Sequence, residues 1–98
     1  MDSFINILKS KTSITKAGFT LYPEQLRLVG NGFRIDLIPR ECLILYIVFE
    51  QTGLASYSLF DNLMPKYTLH YSVKRINQKL SSTDISIHTV RDYGLKLS

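Results

Sequence analysis

The segment TLHYSVKRINQKL, residues 68–80, decides the fold that the sequence predicts. Its apolar residues recur at the spacing i, i+4, i+7, i+11, which lines them up in one narrow stripe along a helix. The pattern therefore indicates an amphipathic helix that packs on a core and presents a basic face to solvent. The stripe is Leu69, Val73, Ile76 and Leu80, and the opposite side is His70, Tyr71, Lys74, Arg75 and Gln78.

Two apolar segments upstream of this helix predict further helices. The first begins with Pro39, whose missing N–H costs nothing at the first helical position, and it is apolar on every side over Cys42–Phe49. We expect this helix to be buried between other elements and to end with Gly53 as the residue after its C-cap. The second covers residues 57–64, after a serine cap and before Pro65, which cannot continue it. A short helix joined by about three residues to an amphipathic basic helix describes a helix-turn-helix.

Period-two alternation on either side of the helices predicts strands. Residues 19–37 alternate apolar and polar side chains around the turn residues 30–32, Gly-Asn-Gly. Asn-Gly between two alternating runs is a strong hairpin signal, so we expect an antiparallel sheet of three or four strands with one buried face. After the basic helix, residues 85–90 and 95–97 flank a turn at residues 91–94, which predicts a C-terminal hairpin.

The predicted order of elements is strands, three helices and a terminal hairpin. This order describes an α+β domain of the winged helix-turn-helix class over residues 17–98. Residues 1–16 form an N-terminal extension that mixes a short apolar patch with a polar run. The pattern of this extension is compatible with an added strand, an added helix or a mobile arm.

The positive charge of the chain is concentrated at its C-terminal end. The net charge is +4. Residues 1–65 contain six basic and six acidic side chains, whereas residues 66–98 contain six basic and two acidic ones. A segregated excess of this kind is what a surface that binds a polyanion needs, and the alternative is a solvated basic face without a ligand.

The residue types that carry most enzyme and metal chemistry are missing or scattered. A single cysteine excludes an internal disulfide and a cysteine-rich zinc site, and the two histidines, His70 and His88, fall on different predicted elements. The sequence has no serine–histidine–acid set, glycine-rich phosphate loop or pair of carboxylates spaced for catalysis. We therefore predict that the chain is not an enzyme and binds neither a cofactor nor a metal.

The apolar segments of the chain are short. The longest run, Cys42–Phe49, falls far below the roughly 20 residues that a transmembrane helix needs. No basic segment followed by an apolar stretch and a cleavage site is visible, so no signal peptide is expected. We expect a cytoplasmic location, with no membrane segment within the chain.

Three segments of the chain resemble the effector domains of OmpR/PhoB-type transcriptional regulators. Residues 37–41, LIPRE, are similar to the family's Leu-Thr-Pro-x-Glu. Residues 68–80 look like its recognition helix, Thr-Val-Asp-Val-His-Ile-Arg-Arg-Leu-Arg-x-Lys-Leu. Residues 87–97, IHTVRDYGLKL, are similar to its wing motif, Ile-x-Thr-Val-Arg-Gly-x-Gly-Tyr-x-Leu. The resemblance implies a bacterial transcription regulator that binds double-stranded DNA in a sequence-specific manner.

The resemblance also implies which residues would touch DNA. The recognition helix, about residues 68–80, would enter the major groove, and the wing, about residues 85–97, would lie in the adjacent minor groove. A guanidinium at the family's base-reading position can pair with both O6 and N7 of guanine. The implied contacts are phosphate contacts from Thr68 and Lys74, base reading by Arg75, minor-groove contacts from Thr89 and Arg91, and further contacts from His70, Tyr71, Ser72, Gln78 and Lys79.

The chain also departs from the family pattern. No receiver domain precedes the motif, so we expect no control by aspartate phosphorylation within this chain. Ile38 replaces a threonine helix cap, and Asp92 replaces a wing glycine, although aspartate tolerates positive φ. The segment 65–67 between the second and third predicted helices is shorter than usual. This argues against activation through the polymerase contact that the loop makes in the family.

Affinity and partners follow from the small size of the domain. A lone domain on one half-site buries little surface, so we expect it to bind DNA as a homodimer or with a partner regulator, with residues 4–8 as candidates for that contact. Two alternatives stay open. One is a protein-interaction module that acts as co-regulator or antagonist of a larger transcription factor. The other is the cytoplasmic part of a membrane-anchored regulator of the ToxR type.

Overall fold

The fold is built around the helix whose sequence is apolar on every side. The computed structural model describes residues 3–30 and 32–98. The elements in chain order are α1 (Ser3–Lys9), β1 (Ile14–Lys16), β2 (Phe19–Tyr22), β3 (Arg27–Gly30), β4 (Phe33–Asp36), α2 (Pro39–Glu50), β5 (Ala55–Ser56), α3 (Lys66–Lys79), β6 (Ile87–Val90) and β7 (Gly94–Leu97). As predicted, α2 is buried over Cys42–Phe49 apart from the half-buried Ile47, and it packs against α1, α3, β1, β2 and β7. The α+β class is confirmed.

The predicted N-terminal sheet is confirmed and has four antiparallel strands in the order β1-β2-β3-β4. Gly30 pairs with Phe33, and Gly32 between them has φ +84°, a left-handed conformation that glycine adopts without strain. Asn31, the other predicted turn residue, lies outside the described residues. Alternate residues of β2 and β3 are buried, so one face of the sheet packs on the core.

The predicted C-terminal hairpin is confirmed as β6 and β7, and it lies in a three-stranded sheet of order β5-β7-β6. Asp92 in its turn has φ +64°, a conformation that aspartate tolerates better than most residues. The sequence does not predict β5, which runs so close to β7 that a Cβ at Gly94 would collide with the main-chain oxygen of Ala55. The sheet therefore ties the segment before α3 to the hairpin after it.

The predicted helix over residues 57–64 is wrong. Ser56 does cap this segment, because its Oγ accepts a hydrogen bond from the Ser58 N–H, but the chain forms only a 3₁₀ turn over Tyr57–Leu59 and then further turns. The Tyr57 N–H bonds to the oxygen of Tyr93 in the hairpin, and Pro65 disfavours helical backbone at the residue before it. Pro65 therefore limits the segment at its C-terminal end. The α-helices among the described residues are thus α1, α2 and α3.

Two predicted helix ends also differ. α2 ends before Gln51, which caps it in an extended conformation with φ −86° and ψ 142°. Gly53 has no positive φ and is not the cap, because the helix has already ended. α3 begins at Lys66, directly after Pro65, and not two residues later. Proline fits there because the N–H groups at the start of a helix have no hydrogen-bond acceptor within the helix.

Residues 3–16 fold onto the rest of the chain as a helix and a strand. Leu8 in α1 is buried, and β1 pairs with β2 at the edge of the first sheet. α1 packs against α2 and against a 3₁₀ turn at Pro23–Gln25. Of the three possibilities that the sequence leaves open for the extension, the described residues adopt the helix and the strand.

A buried carboxylate connects the start of α2 to the end of α3. Glu41 is only 2% exposed, and its Oε1 accepts hydrogen bonds from the Ile38 N–H at 3.2 Å and from Lys79 Nζ at 2.6 Å. Because an isoleucine side chain cannot cap a helix, Glu41 satisfies this end of α2 from within its first turn. Lys79 also donates to the main-chain oxygen of Asp36 at the end of β4. Through the ion pair with Glu41 and the hydrogen bond to Asp36, Lys79 links α3 to α2 and to the end of β4.

We predict that Cys42 is inert in the folded protein. Its side chain is completely buried in α2, and desolvation raises the pKa of its thiol from 9.0 to about 12. A thiol-specific disulfide reagent should therefore react with Cys42 near pH 8 only after the protein is unfolded by denaturant. Rapid reaction of the folded protein would contradict the packing of α2.

The same shift predicts a loss of stability in alkali. Since the folded pKa lies above the unfolded one, the contribution of Cys42 is complete below pH 9 and decreases as the pH rises toward 12. In that window each pH unit removes at most about 1.4 kcal/mol from the free energy of unfolding. Cys42→Ala is the control, because it abolishes this contribution while leaving the other titrating groups in place.

Candidate nucleic-acid interface

α3 has the two faces that its sequence predicts. The apolar stripe Leu69, Val73, Ile76 and Leu80 is buried. The residues expected on the opposite face, His70, Tyr71, Lys74, Arg75 and Gln78, are all exposed. Because an α-helix has 3.6 residues per turn, the spacing of the apolar residues in this sequence is enough to place the apolar and the polar side chains on opposite faces.

The C-terminal hairpin is attached to α3 by the side chain of Asn77. Asn77 Nδ2 donates to the Ile87 oxygen at 2.9 Å, and Asn77 Oδ1 accepts from the Ile87 N–H at 2.8 Å. In the ladder between β6 and β7, Ser86 and Ser98 exchange hydrogen bonds, so the polar groups of Ile87 point to the open edge of the sheet. Asn77 satisfies both of them and thereby fixes where β6 lies along α3.

Two grooves form where β6 and its turn meet α3. The larger has a volume of about 600 Å³, and its wall includes the predicted site residues His70, Lys74, Gln78 and Thr89. The smaller, about 320 Å³, lies at the start of α3 and is lined in part by His70, Thr89 and Arg91. Predicted helix residues and predicted hairpin residues are thus brought to one continuous surface.

Tyr71 and Arg75 lie on the outer ridge of α3 and line neither of these two grooves. The two side chains are one helical turn apart, and Arg75 Nη1 donates to the Tyr71 hydroxyl at 3.2 Å. Tyr67, which is 78% exposed, continues the ridge one turn earlier. The ridge is the part of α3 that projects farthest from the core, so it is the part that can enter a groove of another molecule.

Three predicted site residues lie on the other flank of α3. Ser72 is buried, and its Oγ accepts a hydrogen bond from Arg40 Nε at 2.8 Å. Lys79 is held by Glu41 in the ion pair described above. Thr68 is half-buried on the same flank. Ser72 is therefore buried, and Lys79 is ion-paired within the protein, so neither is a free side chain of the exposed face, in contrast to what the resemblance implies.

Sequence reasoning missed four residues that build this surface, namely Asn77, Tyr57, Lys66 and His88. Asn77 holds the hairpin, and Tyr57 reaches α3 from the 3₁₀ turn, where its hydroxyl lies 3.2 Å from His70 Nε2. Lys66 Nζ lies 4.5 Å from the centre of the Tyr57 ring, a cation–π contact. Charge alone could have identified Lys66, but the positions of Tyr57 and Asn77 depend on how distant segments pack. The α3–hairpin surface comprises Tyr57, Lys66, His70, Tyr71, Lys74, Arg75, Gln78, His88, Thr89 and Arg91.

The cations of this surface are not neutralised by carboxylates. Within residues 3–30 and 32–98, the ion pairs are Arg27–Asp36 and Lys79–Glu41, and neither involves a residue of the α3–hairpin surface. Over the same residues, the side chains of Lys74 and Arg91 have no hydrogen-bond or ion-pair partner. Unpaired exposed cations on adjoining elements produce a positive potential that attracts anions.

No protein-family model matches this chain, and no curated protein is significantly similar to it in sequence. Among the described residues, no group of three histidine, cysteine or carboxylate side chains is placed to hold a metal ion. No helix in the part of the chain that the structure describes is long and apolar enough to cross a membrane. The geometry and charge of the α3–hairpin surface are therefore the features that bear on the function of this protein.

We predict that Asn77→Ala loosens the hairpin. The change leaves the N–H and the oxygen of Ile87 without their partner, which should lower the free energy of unfolding by about 1–3 kcal/mol. Amide hydrogen exchange at Ile87 should also accelerate. Urea unfolding and exchange measured by NMR check the two effects.

Gln78→Ala is the matched control. Gln78 is the next residue of α3, carries the same amide group and is exposed, so its loss should change stability by less than about 0.5 kcal/mol. Equal losses of stability in the two variants would show that the Asn77 hydrogen bonds do not hold the hairpin.

Proposed function

We propose that this protein is a transcription regulator that binds double-stranded DNA through the α3–hairpin surface. The observation that carries the proposal is the convergence of cations without carboxylate partners, from α3 and from the hairpin, on one exposed surface. Lys79, which is the α3 cation paired with a carboxylate among the described residues, lies on the opposite flank. Neutralising phosphates supplies most of the affinity of proteins for DNA, and it requires cations that are free of internal partners.

The proposed docking follows from the shape of the surface. The ridge of Tyr71 and Arg75 enters the major groove, which is about 12 Å wide and admits an α-helix. Arg75 then reads guanine through its guanidinium, and Lys74 on the hairpin side of the ridge contacts a phosphate. The hairpin turn carries Arg91 toward the adjacent minor groove, where narrow A·T-rich segments attract arginine.

In this proposal the fold is a variant of the winged helix of OmpR/PhoB-type regulators. The hairpin acts as the wing and α3 as the recognition helix, while the helix expected before α3 is reduced to the 3₁₀ turn at Tyr57–Leu59. The 3₁₀ turn takes the place of that helix, because Tyr57 in the turn contacts Lys66 and His70 near the start of α3. With α1 and β5 set aside as additions, the order of sheet, α2, α3 and hairpin supports this proposal.

A single copy would bind one half-site with modest affinity, so we also propose self-association or a partner regulator. The segment 4–8 contributes less to such a contact than its apolar sequence suggests. Leu8 is buried against α2, and Ile7 is partly buried. Ile5 is 38% exposed and is the apolar side chain of this segment that remains available.

We predict that duplex binding is steeply salt-dependent and that individual cations contribute to the slope. Lys74→Ala should make the slope of log K against log salt shallower by about 0.9, the value for one phosphate contact, without changing sequence preference. Arg75→Ala should cost about 1–3 kcal/mol and relax the preference at one base pair. Fluorescence anisotropy with labelled duplexes measures the first effect, and selection from a random duplex library measures the second.

Lys9→Ala provides the control, because Lys9 is an exposed lysine of α1 that lies outside the α3–hairpin surface. It should leave the salt slope unchanged. An equal loss in the Lys9 and Lys74 variants would indicate binding by net charge alone. Failure of the library to yield a motif, or absence of binding, would contradict sequence-specific recognition and favour the interaction module.

A further inference from the structure

The smaller groove of the α3–hairpin surface is a pocket with an unusual lining. It has a volume of about 320 Å³ and lies between the 3₁₀ turn, the start of α3 and the turn of the hairpin. That volume corresponds to about ten water molecules at liquid density, which is room for a phosphate group and its hydration. The lining residues are Tyr57, Lys66, His70, Thr89, Arg91 and Asp92.

The charges of the pocket favour an anion. Lys66 and Arg91 are permanent cations, and neither forms an ion pair within residues 3–30 and 32–98. Lys66 is held over the Tyr57 ring at 4.5 Å, so its ammonium group is positioned without being neutralised. Asp92 is the opposing carboxylate in the lining, and Thr89 adds a hydroxyl that can donate to an oxygen.

Tyr57 and His70 form a pair whose hydrogen bonding depends on protonation. The Tyr57 hydroxyl lies 3.2 Å from His70 Nε2, and the two rings meet edge to face at 5.8 Å between centroids. A neutral imidazole can accept the Tyr57 proton at Nε2. An imidazolium is a donor at both nitrogens, so Nε2–H donates to the tyrosine oxygen and the tyrosine hydrogen is released to another acceptor. Protonation of His70 thus adds a positive charge and a hydroxyl donor to the same pocket.

We infer that this pocket binds one phosphate group and that it binds more tightly when His70 is protonated. The inference rests on the proposed function in one respect, which is that the phosphate belongs to the backbone of duplex DNA and not to a free phosphate ester. Lys66 and Arg91 supply the constant attraction for either source. His70 and Tyr57 supply the part that depends on pH.

The groups around His70 set the sign of the effect. The groups that face it are Tyr57 from the 3₁₀ turn, Lys66 and Lys74 from α3, and His88, Arg91 and Asp92 from the hairpin. A bound phosphate is a nearby anion, so it favours the imidazolium form of His70 over the neutral ring. Phosphate binding and proton uptake therefore promote one another, and affinity rises as the pH falls through the range in which histidine changes its charge.

The test is duplex affinity at constant ionic strength between about pH 8 and pH 6, where histidine titrates. One coupled proton changes affinity by at most about tenfold per pH unit, and we expect a gain of about three- to thirtyfold over this range. His70→Asn should remove most of the gain. His88→Asn, which changes the other histidine of the chain, should retain the gain whatever it does to the affinity itself. If duplex binds and the His70 variant keeps the full gain, the pocket inference is overturned and the proposed function stands.

A second measurement separates the two sources of phosphate. Inorganic phosphate is titrated into the protein and into Lys66→Ala, and the NMR signals of the His70 ring and the Thr89 amide are followed. A phosphate site is supported if inorganic phosphate perturbs these signals in the unmodified protein and perturbs them less in Lys66→Ala. If duplex does not bind but phosphate does, the site is for a free phosphate ester and the proposed function fails. If neither duplex DNA nor inorganic phosphate perturbs these signals, the pocket inference is overturned.

Discussion

The two hydrogen bonds between the Asn77 side chain and the main chain of Ile87 are the contact on which the α3–hairpin surface depends. β6 is an edge strand of the second sheet, so the N–H and the oxygen of Ile87 have no strand partner on that side. The Asn77 side chain binds both groups and thereby fixes the distance between α3 and β6. Without this contact the hairpin would be attached to α3 by apolar packing alone, which is not directional. The contact holds β6 beside α3, where Asn77 and Ile87 line the larger groove and His70, Thr89 and Arg91 line the smaller one.

The chain uses its charged side chains in two distinct ways. Lys79 is held by the buried Glu41, so it stabilises the junction of α2 and α3 and is not available to a ligand. Removing one partner of such a pair is costly because the other charge is left buried. Lys74 and Arg91, by contrast, are exposed and have no side-chain partner among the described residues. A count of lysines and arginines cannot separate these two uses, whereas the contacts do.

Much of the fold could be predicted from the sequence because its elements follow periodic patterns. The stripe of α3, the burial of α2 and the two hairpins depend on local spacing, and all four are confirmed. Residues 57–64 could not be predicted correctly, because Ser56 and Pro65 are local signals for a helix between them, whereas the chain forms only a 3₁₀ turn over Tyr57–Leu59 and then further turns. Likewise, Ser72 lies between the exposed Tyr71 and the buried Val73, and its contact with Arg40 of α2 depends on how the two helices pack. The roles of Asn77 and Tyr57 depend on tertiary contacts that leave no local signal.

The most direct test of DNA binding by the α3–hairpin surface is a map of the residues that respond to duplex DNA. In a ¹⁵N-labelled sample titrated with a short duplex at low salt, we expect the amide signals of α3 and of β6 and its turn to shift. Signals of α1 and of the Pro23–Gln25 turn, on another part of the molecule, should remain in place. Shifts confined to α1 and that turn, or no shifts at any duplex concentration, would contradict the assignment of the α3–hairpin surface as a DNA-binding site.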